Sequence, residues 1–81
     1  MYFVYIVKCA DETYYTGIAK DLKRRIEEHN DSPKGAKYTK ARRPVKLVYE
    51  ESCADRSAAS KREYAIKRLK RVDKARLIKS L

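Results

Sequence analysis

Tyrosine, arginine, histidine and glutamate are the side chains of this 81-residue sequence whose spacing could support acid–base or phosphate chemistry. Two of the seven tyrosines, Tyr5 and Tyr15, lie in runs of aromatic and β-branched residues that predict neighbouring strands. A phenol can orient or deprotonate water if nearby cations lower its pKa from about 10. Most tyrosines in a small sheet are core residues. A catalytic role for Tyr5 and Tyr15 therefore depends on which other residues the fold brings close to them.

Arg25 and His29 are spaced i and i+4 on a predicted helix and therefore share one of its faces. They border the apolar stripe made by Leu22 and Ile26, at the edge of the predicted core. An arginine in this position can hold a phosphate and stabilise charge that develops on it. The alternative is a solvated helix face on which Arg25 simply has Glu28 as a neighbour.

Glu63 lies beside the apolar stripe of a second predicted helix, four residues after Ala59 and three before Ile66. It is one of only two acids in residues 61–79, a strongly basic stretch. A single carboxylate in such surroundings is a typical ligand of Mg²⁺ or Mn²⁺, which takes its other ligands from water and substrate phosphates. The alternative is an ion pair with Lys67, which contributes only about 0.3–0.5 kcal/mol.

The charge of the chain is strongly positive and unevenly distributed. Lysine and arginine number 21 against 11 aspartates and glutamates, a formal net charge of +10. Residues 1–33 carry five basic and six acidic side chains, whereas residues 34–81 carry sixteen basic and five acidic ones. A field of this sign attracts polyanions such as DNA, RNA or an anionic membrane. The alternative is a solubilising surface without a specific partner.

A basic segment in the middle of the chain is the predicted nucleic-acid contact. The stretch from Lys34 to Lys46 carries six basic residues and no acid. A segment of this kind follows a phosphate backbone well and reads bases poorly. The predicted contact residues are Lys37, Tyr38, Thr39, Lys40, Arg42, Arg43 and, from the later helix, Lys67.

The two cysteines, Cys9 and Cys53, are too few for a disulfide scaffold or a four-ligand zinc site. Both are predicted at strand ends, as small buried hydrophobic residues. No apolar run approaches the roughly 20 residues that span a bilayer. We therefore expect no membrane partner and a cytoplasmic location.

The pattern predicts a single α+β domain of order ββαβαα over residues 1–81, a small three-stranded sheet flanked by helices. Strands are predicted at 2–9, 13–18 and 45–52. Helices are predicted from Asp21 to about Asn30, from Asp55 or Ser57 to about Arg71, and after a cap at Asp73. Ala58, Ala59, Ala65, Ile66, Leu69 and Val72 form the predicted stripe of the second helix, and residues 31–43 are predicted as a loop.

The length of the first hairpin loop decides whether the two tyrosines share a face. A three-residue loop at 10–12 places Val7 opposite Tyr15 and Tyr5 opposite Gly17. Tyr5 and Tyr15 then become diagonal neighbours on one face of the sheet. A two-residue loop would place them on opposite faces. Gly17 opposite Tyr5 would also leave an open spot where a ligand can approach.

These residues, taken together and in order, resemble the GIY-YIG nuclease superfamily along nearly the whole chain. The matching elements are Phe3-Val4-Tyr5, Tyr15-Thr16-Gly17, Asp21-Leu22-x-x-Arg25 with His29, and Glu63-x-x-Ile66-Lys67. The stretch GAKYTKARRPVKLVYEE resembles the small, single-domain YhbQ-like branch. The resemblance implies a three-stranded sheet flanked by helices, in agreement with the pattern.

The resemblance also implies a role for each candidate residue in the hydrolysis of a nucleic-acid phosphodiester with one Mg²⁺ or Mn²⁺ ion. Glu63 would bind the metal, and Arg25 would hold the scissile phosphate. Tyr5 and Tyr15 would position or deprotonate the attacking water, and either of them can be the base. His29 would have a supporting role.

Some positions depart from the family pattern. Phe3 and Val4 replace the glycine and isoleucine of the first motif, and Ile18 stands where some relatives have lysine. An asparagine used by some relatives has no counterpart beyond Leu69. The five candidate catalytic residues are retained. We therefore expect these departures to affect the rate of cleavage and the choice of substrate.

The expected function is a DNA endonuclease with little sequence specificity, in repair or recombination. DNA is the expected partner, with RNA as an alternative, and the chain is expected to be a monomer or weak dimer, with a repair protein as a candidate partner. The alternatives are a catalytically silent nucleic-acid-binding module and an accessory subunit of a repair complex.

Overall fold

The sheet consists of three strands, β1 (Tyr2–Lys8), β2 (Tyr14–Ala19) and β3 (Lys46–Cys53). A computed structural model describes residues 1–80 of the chain. The central strand β1 pairs antiparallel with β2 on one side and with β3 on the other. The predicted α+β class, with a three-stranded sheet and an antiparallel N-terminal hairpin, is confirmed.

The helices of residues 1–80 are α1 (Leu22–Asp31), α2 (Lys37–Lys40), α3 (Arg56–Lys67) and α4 (Arg71–Lys79). Helices α1 and α3 begin as predicted, because the carboxylates of Asp21 and Asp55 accept hydrogen bonds from backbone N–H groups three residues later. Within residues 1–80, no helix is long and apolar enough to cross a membrane.

The hairpin register places the two tyrosines on one side of the sheet. Tyr5 lies opposite Gly17, and Val7 lies opposite Tyr15, as the three-residue loop predicts. Because side chains alternate along a strand, the side chains of Tyr5, Val7 and Tyr15 point to the same face. The prediction of a shared face is therefore confirmed.

Hydrophobic clusters cover both faces of the sheet, so that the central strand is buried on each side. One cluster lies against α3 and α4 and contains Val4, Ile6, Tyr49, Cys53, Ala59 and Ile66. The other lies against α1 and α2 and contains Tyr5, Val7, Cys9 and Val45. Both cysteines are buried and free, as predicted. Tyr5 therefore lies on the face of the sheet that α1 and α2 cover.

The segment 31–43 is not entirely a loop, because α2 forms within it. This helix has no side-chain hydrogen bond at its N-cap residue, Ala36. It is instead held by tertiary packing, since Tyr38 stacks on Tyr15 and Thr39 contacts His29. A four-residue helix of this kind leaves no pattern in the sequence.

The boundary between the last two helices also differs from the prediction. α3 ends at Lys67 rather than near Arg71, and Lys70 rather than Asp73 occupies the N-cap position of α4. Asp73 lies in the first turn of α4, where its negative charge interacts favourably with the positive end of the helix dipole. The chain turns at this point so that α4 can pack Leu77 against the core.

The buried stripe of α3 is narrower than predicted. Ala59 and Ile66 are fully buried, whereas Ala58 and Ala65 are exposed. Val72, predicted to continue this stripe, is exposed and belongs to α4. A three-stranded sheet offers only a narrow surface to a helix, so that few positions of α3 can be covered.

Candidate active site

The centre of the site is a buried contact between Tyr5 on β1 and His29 at the end of α1. The Oη atom of Tyr5 lies 2.6 Å from Nε2 of His29. The two side chains are only 1% and 0% exposed. A polar pair buried to this degree is stable only when its hydrogen bonds are satisfied, which fixes the position of both rings.

Gly17 makes room for the phenol of Tyr5. A Cβ atom at position 17 would lie 2.5 Å from Oη and 2.7 Å from Cζ of Tyr5. Real side chains do not approach so closely, and only glycine at this position lets the phenol cross β2 without displacement. Gly17, two residues after Tyr15 in the sequence, thus has a steric function in positioning Tyr5.

Thr39 contacts the second nitrogen of the His29 ring. Its Oγ1 atom lies 2.9 Å from Nδ1 of His29, and it donates a hydrogen bond of 2.9 Å to the carbonyl of Ala36. The preceding chain lies tightly on α1, because a Cβ atom at Gly35 would come within 2.6 Å of the carbonyl oxygen of Glu28. The segment from Gly35 to Thr39 therefore forms one wall of the site.

Tyr15 is held between the His29 ring and the ring of Tyr38. It meets His29 edge-on, with ring centroids 5.4 Å apart, and stacks on Tyr38 at 6.0 Å. The guanidinium of Arg42 lies over the ring of Tyr38, 3.8 Å from its centroid, and forms an ion pair of 2.9 Å with Asp11. These contacts fix the ring of Tyr15 beside Tyr5.

Arg25 is oriented by two hydrogen bonds from a single nitrogen. Its Nη1 atom donates to Oε1 of Glu28 at 2.9 Å and to the carbonyl of Lys34 at 3.0 Å. The other N–H groups of the guanidinium are left for an additional acceptor. A cleft of about 210 Å³ opens beside it, lined by the basic side chains of Lys20, Arg24 and Arg25 and by the carboxylates of Asp21 and Glu28 among others. A phosphate that enters this cleft can accept hydrogen bonds from the guanidinium of Arg25.

Glu63, the metal ligand expected from the sequence, lies on α3. Its side chain is 23% exposed and forms an ion pair of 3.3 Å with Lys67. No group of three or more His, Cys, Asp or Glu residues within residues 1–80 could hold a metal ion on its own. One partly exposed carboxylate suits Mg²⁺ or Mn²⁺, because these ions accept water and phosphate oxygens as their remaining ligands.

Burial controls the pKa of the Tyr5 phenol and raises it to about 12. The guanidinium of Arg25 opposes the rise, and the negative charge of Glu63 adds to it. At neutral pH the phenol keeps its proton.

Burial, with the positive charge of Arg25 as the next cause, lowers the pKa of His29 from its ordinary 6.5 to about 4. Glu28 opposes this shift and Arg43 adds to it. At neutral pH the imidazole is therefore uncharged, with one nitrogen that can accept a proton.

The stability of the fold should fall in mild acid because of His29. The unfolded imidazole binds a proton near pH 6.5 and the folded one only near pH 4, so the unfolded state gains protons first. The stabilising contribution is complete above pH 6.5 and is lost as the pH falls towards 4. Between pH 7.5 and pH 5, we expect a loss of about 2 kcal/mol in the free energy of unfolding.

Urea denaturation at both pH values measures this loss, and a His29→Gln variant is the control. The variant has no titrating side chain at position 29, so its stability should change about 2 kcal/mol less between the two pH values. Because the chain has one histidine, NMR can also follow its imidazole directly. An imidazole pKa near 6.5 in the folded protein would contradict the prediction.

The predicted nucleic-acid contacts differ in their accessibility. Lys37 and Lys40 are exposed on α2, close to the wall of the site. Tyr38 is half-buried in the stack with Tyr15, and Thr39 is fully buried. Lys67 is exposed but paired with Glu63. The structure thus gives Thr39 an internal position rather than a surface one.

Arg43 also has an internal position. It donates hydrogen bonds to the carbonyls of His29, Glu28 and Ser32, at 2.6, 3.2 and 2.5 Å. The last carbonyls of a helix have no partner within the helix, and a guanidinium can satisfy several of them at once. Arg43 therefore anchors the end of α1 that carries His29, which is a structural role that its sequence neighbourhood does not reveal.

Asn30 is a further positioning residue that sequence reasoning missed. Its side chain exchanges two hydrogen bonds with the backbone of Val45, at 3.0 and 2.7 Å. This pair of bonds attaches the end of α1 to the start of β3. The only available signal is an asparagine next to the histidine at the end of a predicted helix, which is too common to carry a prediction.

Comparisons with known proteins agree with the fold and the sequence motifs. The family profile of the GIY-YIG catalytic domain matches residues 1–76. A UPF0213 protein from Desulfotalea psychrophila is 63% identical over 79 residues, covering 98% of this chain and 72% of that protein. A UPF0213 protein from Staphylococcus aureus is 59% identical over 78 residues, covering 96% of this chain and 94% of that protein.

A solved structure shows the same fold. The solution NMR structure of a UPF0213 protein from Bacillus halodurans matches with a TM-score of 0.62 and 41% sequence identity. The match covers 98% of this chain and 84% of that one. The resemblance drawn from the two tyrosine motifs, Arg25 and Glu63 is therefore confirmed. The chain belongs to the GIY-YIG family, a family of nuclease catalytic domains, and is related within it to the UPF0213 proteins.

Proposed function

We propose that this protein is a divalent-metal-dependent endonuclease that hydrolyses phosphodiester bonds of DNA with little sequence specificity. One observation carries the proposal: the buried phenol of Tyr5 lies 2.6 Å from Nε2 of His29, and the same imidazole ring contacts Tyr15. These residues come from both strands of the hairpin and from α1, which also carries Arg25. Contacts to phosphates alone would not require this buried hydrogen bond between Tyr5 and His29.

Tyr5 is the proposed base for the attacking water. Its pKa of about 12 means that it carries a proton at neutral pH, so it can take a proton from water only while it releases its own. His29 is neutral, and its Nε2 atom lies 2.6 Å from the phenol oxygen. The water proton therefore moves to Tyr5 as the Tyr5 proton moves to His29. Tyr15 orients the water from the neighbouring strand.

Arg25 is the proposed phosphate ligand. Attack of hydroxide on the phosphorus adds negative charge to the non-bridging oxygens, and the P–O bond to the leaving alkoxide then breaks. The guanidinium can donate two N–H groups to these oxygens while Nη1 stays bonded to Glu28 and Lys34. The alkoxide takes a proton from solvent to complete the hydrolysis.

Glu63 is the proposed metal ligand. A bound Mg²⁺ or Mn²⁺ ion would supply positive charge to the phosphate oxygens and lower the pKa of a coordinated water. Lys67 forms an ion pair of 3.3 Å with this carboxylate. Because the Lys67 side chain is 52% exposed, it can turn towards a DNA phosphate once Glu63 holds the ion.

The exposed lysines of α2 are the proposed contacts to the DNA backbone. Lys37 and Lys40 flank Tyr38 and Thr39, whose side chains face the site. Phosphates bound by these two lysines would therefore lie beside the wall of the site that contains Tyr38 and Thr39. Contacts of this kind carry no sequence information, in line with low specificity.

A second candidate function is nucleic-acid binding without cleavage. The ion pair between Glu63 and Lys67 favours it, because the carboxylate already has a partner. The net charge of +10 supports binding in either case. The two functions differ in one result, the formation of products that depend on a metal ion.

The decisive experiment is incubation of the protein with supercoiled plasmid, and with a labelled branched DNA, in Mg²⁺, in Mn²⁺ or in EDTA. We expect nicked or linear products with either ion and none with EDTA, because the added charge on phosphate needs the ion for stabilisation. Binding measured in EDTA should persist and weaken steeply with salt. If folded protein binds both DNAs and cuts neither in any metal, the proposal of a nuclease that is active alone is wrong.

A further inference from the structure

A continuous series of hydrogen bonds runs from the phenol of Tyr5 to the backbone of the basic segment. Oη of Tyr5 lies 2.6 Å from Nε2 of His29, and Nδ1 of His29 lies 2.9 Å from Oγ1 of Thr39. Oγ1 of Thr39 lies 2.9 Å from the carbonyl oxygen of Ala36. The side chains of Tyr5, His29 and Thr39 are 1%, 0% and 0% exposed.

The donors and acceptors in this series favour one direction of hydrogen bonding, from Tyr5 towards the carbonyl of Ala36. The carbonyl of Ala36 can only accept, so the hydroxyl of Thr39 donates to it. The Thr39 oxygen then accepts from His29, which places the ring proton on Nδ1. Nε2 is left without a proton and accepts from the hydroxyl of Tyr5. All three short contacts are hydrogen bonds in this arrangement.

The opposite direction leaves one contact unfavourable. If Thr39 donated to Nδ1, its oxygen and the Ala36 carbonyl would face each other at 2.9 Å without a proton between them. The one gain would be a hydrogen bond from the Ala36 N–H to Nδ1, which is long at 3.5 Å. Two short bonds and one long bond are weaker than three short bonds in a buried site.

We propose that Thr39 is a positioning residue that selects the His29 tautomer with the proton on Nδ1, and thereby directs the hydroxyl proton of Tyr5 into Nε2. With its own proton donated to Nε2, the Tyr5 oxygen can accept a proton from water. The consequence for catalysis rests on the proposed function, whereas the tautomer itself does not. A threonine that the sequence suggests as a DNA contact is instead a part of the internal proton path.

The tautomer can be measured without any reaction. The chain has a single histidine, so the imidazole nitrogen shifts of ¹⁵N-labelled protein report on His29 alone. At pH 7 we expect the Nδ1–H tautomer in the wild type. In a Thr39→Val variant, Nδ1 loses its acceptor and keeps only the long contact to the Ala36 N–H, so we expect the Nε2–H tautomer to predominate. Thr39→Ser keeps the hydroxyl and should restore the wild-type shifts.

Thr16 provides a matched control. It is buried on β2, and among residues 1–80 its hydroxyl has no hydrogen-bond partner. A Thr16→Val variant removes a buried hydroxyl without touching the series, so the shifts of His29 should stay as in the wild type. A wild-type protein with the proton on Nε2 would overturn the proposal. Wild-type shifts in a folded Thr39→Val variant would overturn it as well.

Cleavage assays test the consequence for catalysis. In the Thr39→Val variant the hydroxyl of Tyr5 no longer donates its proton to Nε2 of His29. We expect kcat to fall up to about a hundredfold, because a positioned base contributes a factor of this order or more. KM for DNA should stay unchanged, and Thr39→Ser should retain most of the activity. If no variant and no wild type cleaves DNA, the nuclease proposal fails and the NMR result still decides the role of Thr39.

Discussion

Replacing Glu63 by glutamine is expected to lower metal-dependent DNA cleavage about a hundredfold or more. Glutamine keeps the size of the side chain but removes the charge that holds the cation. The charge stabilisation supplied by a bound metal ion is worth several kcal/mol, and each 1.36 kcal/mol is a factor of ten in rate. Rates of plasmid nicking in Mg²⁺ and Mn²⁺, for wild type and variant at equal protein concentration, measure the effect.

The same substitution at Glu27 is the matched control for charge and composition. Glu27 is exposed on α1 and is not one of the five candidate catalytic residues. The Glu27→Gln variant should therefore cut at the wild-type rate. DNA affinity in EDTA should be unchanged or higher in both variants, since each removes one negative charge. Equal rates for the wild type and a folded Glu63→Gln variant would show that Glu63 does not hold the catalytic ion.

The second large effect on cleavage is expected when a single methyl group is added at position 17. Gly17→Ala places a Cβ atom 2.5 Å from Oη of Tyr5, so the phenol or the strand has to move. Overpacking of this kind costs about 1–3 kcal/mol of stability. A reacting group displaced by about 1 Å can lose two orders of magnitude in rate. We therefore expect both a lower urea midpoint and cleavage reduced about a hundredfold.

A double-mutant cycle separates this mechanism from general damage to the strand. Tyr5→Leu removes the phenol that the new methyl group would strike, at the cost of the contact with His29. In this background Gly17→Ala should have a much smaller effect on stability than in the wild type, whereas activity should not return. Additive losses of stability would mean that the clash with Tyr5 is not the reason for glycine at position 17.

The sequence was sufficient to predict the fold class, the first hairpin and the family. These features depend on local patterns, namely alternating aromatic and β-branched residues, aspartates at helix starts, and a loop whose length determines the register. The pairing of Tyr5 with Gly17 follows from that loop alone and is confirmed. Because the spacing of the five candidate residues is also a linear property, the family could be recognised before any coordinates.

Local sequence patterns did not predict the structure correctly where tertiary packing determined it. The short helix α2 and the turn between α3 and α4 arise because particular side chains find partners across the fold. The exposure of Ala58 and Ala65 has the same origin, since the sheet is too narrow to cover the whole helix face. A sequence window contains no information on how much surface the opposite layer provides.

The roles of the basic segment show most clearly what the tertiary structure alone determined. From the sequence, Thr39 and Arg43 are polar residues in a positively charged stretch, and the charge predicts contact with DNA. In the fold, Thr39 is bonded to His29 and Arg43 to the carbonyl ends of α1. The reason is physical: a buried imidazole and unpaired carbonyls must find hydrogen-bond partners, and these partners come from a segment distant in sequence and adjacent in space.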